Sequence, residues 1–322
     1  MPHTSMALDT LRTNPPRQTL YTDHCSWLLQ RFPNSLVDQL ATGPDGAIWF
    51  TETGAGQIGR LSLGSNSGPS PLVAAVLPSS RSVQVGGTPA TAFATIINSG
   101  SSAVTGCAIT PVTTVPASFV YQTTNPATNA LSGSPNTPVS IAAGGSQSFV
   151  IAFTPNAPFV PTNVVLGFAC TGVSAAPSIT GLNSLLLSAS TTPVPDIVAL
   201  AATAMNDGIL HITGTSGSGA FAVATVNVGA GASITATANT GAASLPLAIS
   251  LCQTDPASGQ CTSSVGSSVT TTINAGATPT FAIFATASGL VPFDPANNRI
   301  FVIFSDAGGT VCGSTSVAVQ TQ

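Results

Sequence analysis

From residue 72 onward apolar and polar side chains alternate with period two, the spacing of a half-buried β-strand. Phe149, Ile151 and Phe153 fall on one face and Val150, Ala152 and Thr154 on the other. Val164, Leu166, Phe168 and Cys170 share a face, as do Leu245, Leu247, Ile249 and Leu251. Turn formers punctuate these runs: Asn98-Ser99-Gly100, Ala143-Gly144-Gly145, Asp207-Gly208, Asp255-Pro256-Ala257-Ser258-Gly259 and Asp306-Ala307-Gly308-Gly309 supply positive or fixed φ. No stretch of ten or more residues after position 40 shows helical periodicity with caps. The expectation is an all-β chain of short strands joined by tight turns.

The pattern occurs twice. Ile141, Ala143, Gly144, Phe149 and Ile151 return as Ile273, Ala275, Gly276, Phe281 and Ile283. Pro158-Phe159-Val160-Pro161-Thr162-Asn163 is answered by Pro292-Phe293-Asp294-Pro295-Ala296-Asn297, and Ala92-Phe93-Ala94 by Ala220-Phe221-Ala222. Offsets of this size are too long for a solenoid unit and fit a duplicated domain. Two tandem immunoglobulin-like β-sandwiches are expected at 71–190 and 196–322, joined by a semi-rigid linker, Thr191-Thr192-Pro193-Val194-Pro195.

Composition sharpens this picture. Charged residues make up 5% of the chain against about 25% in ordinary soluble domains. Lysine is absent, and after Arg81 only Arg299 carries a fixed positive charge. A phosphate backbone needs clustered cations, so nucleic acid is excluded as a partner. No apolar run reaches the length of a transmembrane segment. Residues 1–60 differ from the rest, with four Arg, five acidic residues and both Trp, Trp27 and Trp49. We expect 1–39 to be a poorly ordered leader. The N-terminus lacks the apolar core of a secretory signal, and with the expected disulfides this points to a truncated start or an unrecognised export route.

Cys107 and Cys170 lie on alternating strands of the first copy and are expected to bond across the two sheets of a sandwich, the alternative being two buried thiols. Closing such a loop stabilises by about 4 kcal/mol on chain-entropy grounds. Aligning the copies through the Pro-Phe element sets Cys170 opposite Phe304. Cys252 and Cys261 flank a turn and are expected to staple a hairpin, leaving Cys25 and Cys312 unpaired. Two disulfides favour an oxidising compartment, hence an extracellular or cell-surface location.

Residues 40–70 carry a different signature. Gly43-Pro44-Asp45-Gly46-Ala47-Ile48-Trp49-Phe50-Thr51-Glu52, followed by Gly56-Gln57-Ile58-Gly59-Arg60-Leu61, resembles one repeat of the streptogramin B (virginiamycin B) lyase type of β-propeller. The resemblance implies a single propeller-blade-like segment, whereas a propeller needs several blades to close its ring. Family lyases use His and Glu from several blades with a divalent metal. This segment has Glu52 in a scaffold position and no His, so no catalytic residue is carried over. The downstream copies resemble immunoglobulin-like modules of bacterial exported and surface proteins.

The remaining titratable groups read as local structure. His211, in Ile209-Leu210-His211-Ile212, is expected to face solvent with no titratable neighbour close in sequence. Asp294 and Arg299 are expected to form a local ion pair around a turn. A calcium site from Asp294, Asn297 and Asp306 would need six to eight oxygens in one place and is not favoured. No serine sits in a nucleophile elbow. We therefore expect no enzyme activity, no cofactor and no metal. The expected role is a spacer or adhesion module with a protein or glycan partner, the alternative being a truncated lyase relative without a complete active site.

Overall fold

The computed structural model describes three strands in the region before residue 70 and residues 70–322 continuously. The chain divides into two compact units, Met1–Gly68 and Pro69–Gln322. In the first, β1 (Val37–Thr42), β2 (Ile48–Glu52) and β3 (Gln57–Leu61) form an antiparallel meander in the order β1-β2-β3. Trp49, Phe50 and Glu52 lie on β2, opposite Arg60, Gly59 and Gln57 of β3. Gly43, Pro44, Asp45 and Gly46, and the leader before Val37, fall outside the described residues.

The second unit is all-β and contains two sandwich modules of nine strands each. In the first module one sheet runs β4 (Leu72–Leu77), β6 (Ala90–Asn98), β10 (Ser146–Pro155), β8 (Ala117–Thr123). Its partner sheet runs β5 (Ser80–Gln84), β12 (Ser184–Ser190), β11 (Phe159–Thr171), β7 (Val104–Pro111), β9 (Val139–Ile141). The second module repeats this order strand for strand. One sheet is β13 (Ile197–Ala202), β15 (Ser218–Asn227), β19 (Thr280–Ala287), β17 (Leu247–Thr254). The other is β14 (Ile209–Ile212), β21 (Val311–Thr321), β20 (Arg299–Asp306), β16 (Ala232–Asn239), β18 (Ser268–Ile273). A single parallel bridge, Ile197 to Gly313, joins the second pair of sheets at one corner. Glycine permits that approach, because a Cβ on Gly313 would lie 2.6 Å from the Ile197 Cβ.

Each module buries its own core, as the alternation requires. Phe149, Phe153 and Phe168 are fully buried in the first, and Phe281 and Phe304 meet edge to face at 5.4 Å in the second. The Ile-x-Ala-Gly turns occupy equivalent places, with Gly144 and Gly276 at φ 65° and 75°.

Two buried amides fix the same end of both modules. Asn98, fully buried, donates from Nδ2 to the carbonyls of Ser102, Ile141 and Ala142 and accepts the Gly100 N–H on Oδ1. Asn227, also fully buried, donates to Ala230 and Ile273 carbonyls and accepts from Gly229. Each thus ties the turn after its own strand to the Ile-x-Ala-Gly turn. The repeated Asn-x-Gly is legible once Asn98 and Asn227 are aligned. So is Asn125-Pro126-Ala127-Thr128 against Asp255-Pro256-Ala257-Ser258, in which Oδ1 of Asn125 or Asp255 accepts the next two free N–H groups.

This register corrects three expectations. Aligning Asn98 with Asn227 sets Ala92, not Phe93, opposite Phe221. Phe93 is 42% exposed and Phe221 only 4%, since a one-residue slip moves a strand side chain to the other face. The Cys107–Cys170 bond does not cross between sheets: it joins the neighbouring strands β7 and β11 of one sheet, with Cα atoms 4.0 Å apart. Finally, Cys107 stands opposite Val139 as Ile234 stands opposite Thr271. Two residues on, Ile109 faces Phe168 and Ala236 faces Phe304. Phe168 is therefore the counterpart of Phe304, and the disulfide of the first module is replaced in the second by Ile234 beside Asp306. The hairpin staple Cys252–Cys261 forms as expected, with Cα atoms 5.7 Å apart.

Removing the buried amide in Asn98→Ala strands three carbonyls and an N–H in a closed corner. Stability should fall by about 1–3 kcal/mol, read as a lower urea midpoint at unchanged slope. A midpoint equal to wild type would show that the amide does not hold the two turns together.

Candidate functional site: the seam between the two modules

Of the two arginines beyond residue 60, Arg299 is buried and Arg81 is partly buried, and both lie at or beside the junction of the modules. Arg81, on β5, donates from Nε at 2.9 Å and through a second guanidinium nitrogen at 2.8 Å to Oδ2 of Asp196, the residue that precedes β13. The remaining terminal nitrogen donates to the Thr91 carbonyl at 2.6 Å. Oδ1 of Asp196 accepts the Ser82 N–H at 2.9 Å. The side chains are 11% and 4% exposed, so the pair is shielded from solvent. Burial pushes the Asp196 carboxyl above its ordinary value, against the opposing pull of Arg81 and the Ser82 N–H.

Serines extend the seam. Ser79 and Ser80 donate from their hydroxyls to the Ser314 carbonyl at 2.9 and 3.1 Å, and the Ser314 N–H returns to Ser80 Oγ at 2.6 Å. Farther along, Arg299 donates from Nε to Ser316 Oγ and through another nitrogen to the Pro295 carbonyl, while Ser316 Oγ donates to the Gly181 carbonyl of the first module. Burial pulls the Arg299 guanidinium down to about 10, so it stays protonated at neutral pH. The expected Asp294–Arg299 ion pair does not form. Arg299 turns inward to Pro295 and Ser316, whereas Asp294 accepts from the Asn297 side chain at 2.8 Å.

The linker is fastened at its C-terminal end. Ala230 N–H donates to the Val194 carbonyl, and Asp196 N–H donates to Asn227 Oδ1. A Cβ on Gly229 would lie 2.3 Å from the Val194 carbonyl oxygen, so only glycine lets the strand end pass this close to the linker.

Two clefts flank the seam. One, of about 650 Å³, is lined by Asn163, Thr180, Asn239, Asn297 and Phe301 among others. The other, of about 680 Å³, is lined by Pro158, Pro161, Pro195, Asp306 and Cys312 among others. Cys312 donates weakly to the Phe304 carbonyl at 3.4 Å, and burial with the nearby charges of Asp306 and Asp196 pushes its thiol up to about 12. Such a thiol is a packing group and not a nucleophile. Asp306 spends Oδ1 on the N–H groups of Gly308 and Thr310. Among the described residues no three His, Cys, Asp or Glu side chains gather as metal ligands.

His211 departs from expectation. Its Nε2 lies 2.7 Å from Oδ2 of Asp207, four residues earlier, and Nδ1 is within reach of Gln320 and Gln322. The Thr203–Asp207 turn folds the carboxylate back, and parallel pairing with β21 brings up the glutamines. The hydrogen bond to Asp207 holds the imidazole above its ordinary 6.5, and the same bond holds Asp207 below 3.8.

A third feature is the outer face of the first module. Val73 lies opposite Ile97 and Leu77 opposite Phe93, with Val120 two strands away; all five are exposed, and strands β4, β6, β8 and β10 carry no charged residue.

No family model matches the sequence, and no curated protein does. The fold resembles, at low superposition scores, the major pilin subunit BcpA of Bacillus cereus (10% identity, 78% of this chain and 70% of that one, TM-score 0.26). Similar scores are given by a PapD-like domain of human CEP192 (11%, 42% and 94%, 0.24) and by SSP-19, an MSP-domain-like protein of Caenorhabditis elegans (16%, 36% and 98%, 0.22). At these scores the architecture rests on the strand pairing itself. Among the described residues no helix is long and apolar enough to cross a membrane.

Arg81→Ala leaves a buried carboxylate without its partner and should cost about 3–5 kcal/mol, whereas Arg81→Met with Asp196→Leu should recover most of that loss. A single variant as stable as wild type in calorimetry would mean the pair is not shielded. For His211, the raised imidazole contributes stability that is complete below pH 6.5 and is lost as pH rises through its folded value. The lowered Asp207 contributes stability that is present above pH 3.8 and is lost as pH falls through its folded value. The NMR titration midpoint of His211 should therefore lie above 6.5 and fall in Asp207→Asn. A wild-type midpoint at or below 6.5 contradicts the pairing.

Proposed function

We propose that Pro69–Gln322 is a rigid, non-enzymatic spacer and binding unit of an exported or cell-surface protein. The observation that carries this reading is the use of charge. In a unit almost devoid of ions, one arginine is buried in an ion pair across the junction, and the other is linked through Ser316 to the first module. A hinge would leave such groups hydrated, because separating a buried pair exposes each charge to a desolvated wall. Residual dipolar couplings from both modules should fit one alignment tensor; two tensors that differ in orientation would overturn the rigid reading.

The two disulfides support an oxidising location. In protein isolated from its source and denatured without reductant, an alkylating reagent should modify Cys25 and Cys312 and spare Cys107, Cys170, Cys252 and Cys261. Labelling of all six would refute export. The exposed, uncharged face of β4-β6-β10-β8 supports a binding role, since apolar side chains spread across a sheet mark contact surfaces.

A second reading concerns the first unit. The Gly-Pro-Asp-Gly-x-Ile-Trp-Phe-Thr-Glu string and the meander that carries part of it favour descent from a streptogramin B lyase propeller. Incubating the full chain with a streptogramin B antibiotic and Mg²⁺ should leave the ring intact; ring opening would make the protein an enzyme and reverse the order of the two readings.

A further inference from the structure

The cleft beside Phe301 differs in chemistry from the other cleft at the seam. Its walls come from both modules: Asn163 and the Thr180-Gly181 loop on one side, Asn239, Gly241 and Asn297 on the other. No charged side chain lines it. Phe301 stands between two glycines, one on each side of the ring. A Cβ on Gly181 would meet its Cε1 at 2.7 Å, and a Cβ on Gly241 would meet Cε2 on the opposite edge at 2.8 Å. Both glycines have positive φ, 77° and 62°, so the backbone as well as the space excludes larger residues there. The ring is partly exposed and lines the cleft between the two glycines.

The amides around it retain hydrogen-bonding capacity. Asn239 spends Oδ1 on the Gly241 N–H, and its Nδ2 has no partner among the described residues. Asn297 spends Nδ2 on Asp294, leaving Oδ1. Asn163 makes only a 3.4 Å contact from Nδ2 to Thr180 Oγ1. The set therefore offers neutral donors and acceptors on both walls around an aromatic platform. A charged ligand would find no counter-ion and would be desolvated without return. Hydroxyl groups, each donor and acceptor, suit this lining, and the apolar C–H face of a pyranose suits the ring. The other cleft, lined with prolines and an aspartate, lacks this combination.

We propose that the inter-module cleft at Phe301 binds a short neutral oligosaccharide. The volume of about 650 Å³ lies within the ordinary range for ligand sites, which favour domain junctions. The proposal rests on the rigid reading above, because the two walls belong to different modules.

The test is an NMR titration of the ¹⁵N-labelled full chain with cellotriose, maltotriose and N,N′-diacetylchitobiose, with sialyllactose and a proline-rich peptide as controls. At least one neutral sugar should cause saturable shifts of the Asn163, Asn239 and Asn297 side-chain amides. Asn163→Ala with Asn239→Ala, at sites that are not buried, should weaken binding about tenfold while leaving the rest of the spectrum unchanged. Silence toward all three neutral sugars, shifts caused only by sialyllactose or the peptide, or binding that survives the double variant would each overturn the proposal. A single alignment tensor together with silence would sink this site alone; two tensors would sink the rigid reading first.

Discussion

A guanidinium and a carboxylate removed from water together must satisfy one another almost completely, and at the junction of the two modules Arg81 and Asp196 do so with help from one backbone N–H and one carbonyl. Burial works against the carboxylate, which is why its proton affinity rises even with a cation beside it. The pair adds little net stability by itself, but it makes any other arrangement of the modules costly. The linker path past Gly229, the serine contacts to Ser314 and both clefts follow from that fixed geometry.

The modules show how one strand order tolerates different chemistry. The Asn98 and Asn227 plugs are the same solution to the same problem, a corner where two turns leave carbonyls facing inward. Elsewhere the copies diverge. The first closes β7 to β11 with a disulfide where the second sets Ile234 beside Asp306; the second staples its β17 turn with Cys252–Cys261 where the first holds the equivalent turn with hydrogen bonds from Asn125, Thr123 and Ser132. Covalent closure is interchangeable with packing or local hydrogen bonds, whereas the buried amide was kept in both.

The outer surface is equally uneven. Phe93, Ile97, Val73 and Leu77 spread across the exposed face of the first module, while the second module has alanine at the position of Phe93. Two surfaces of one unit thus offer different contacts: an apolar sheet face on the first module and a polar cleft shared by both.

The alternation of side chains determined the strands, the two cores and the duplication, because whether a residue points in or out depends only on its parity within a strand. The Ile-x-Ala-Gly turns were legible for the same reason, being local. Register was not: the Ala-Phe-Ala repeat aligns the copies one residue out, and only pairing with a neighbouring strand separates Phe93 from Phe221. Nor could spacing tell whether Cys107 and Cys170 lay across a sandwich or side by side in one sheet, since both arrangements bury both residues. The seam lay wholly beyond the sequence. Arg81 and Asp196 are distant in the chain, and their meeting required two finished modules to dock, a matter of surfaces that exist only after folding.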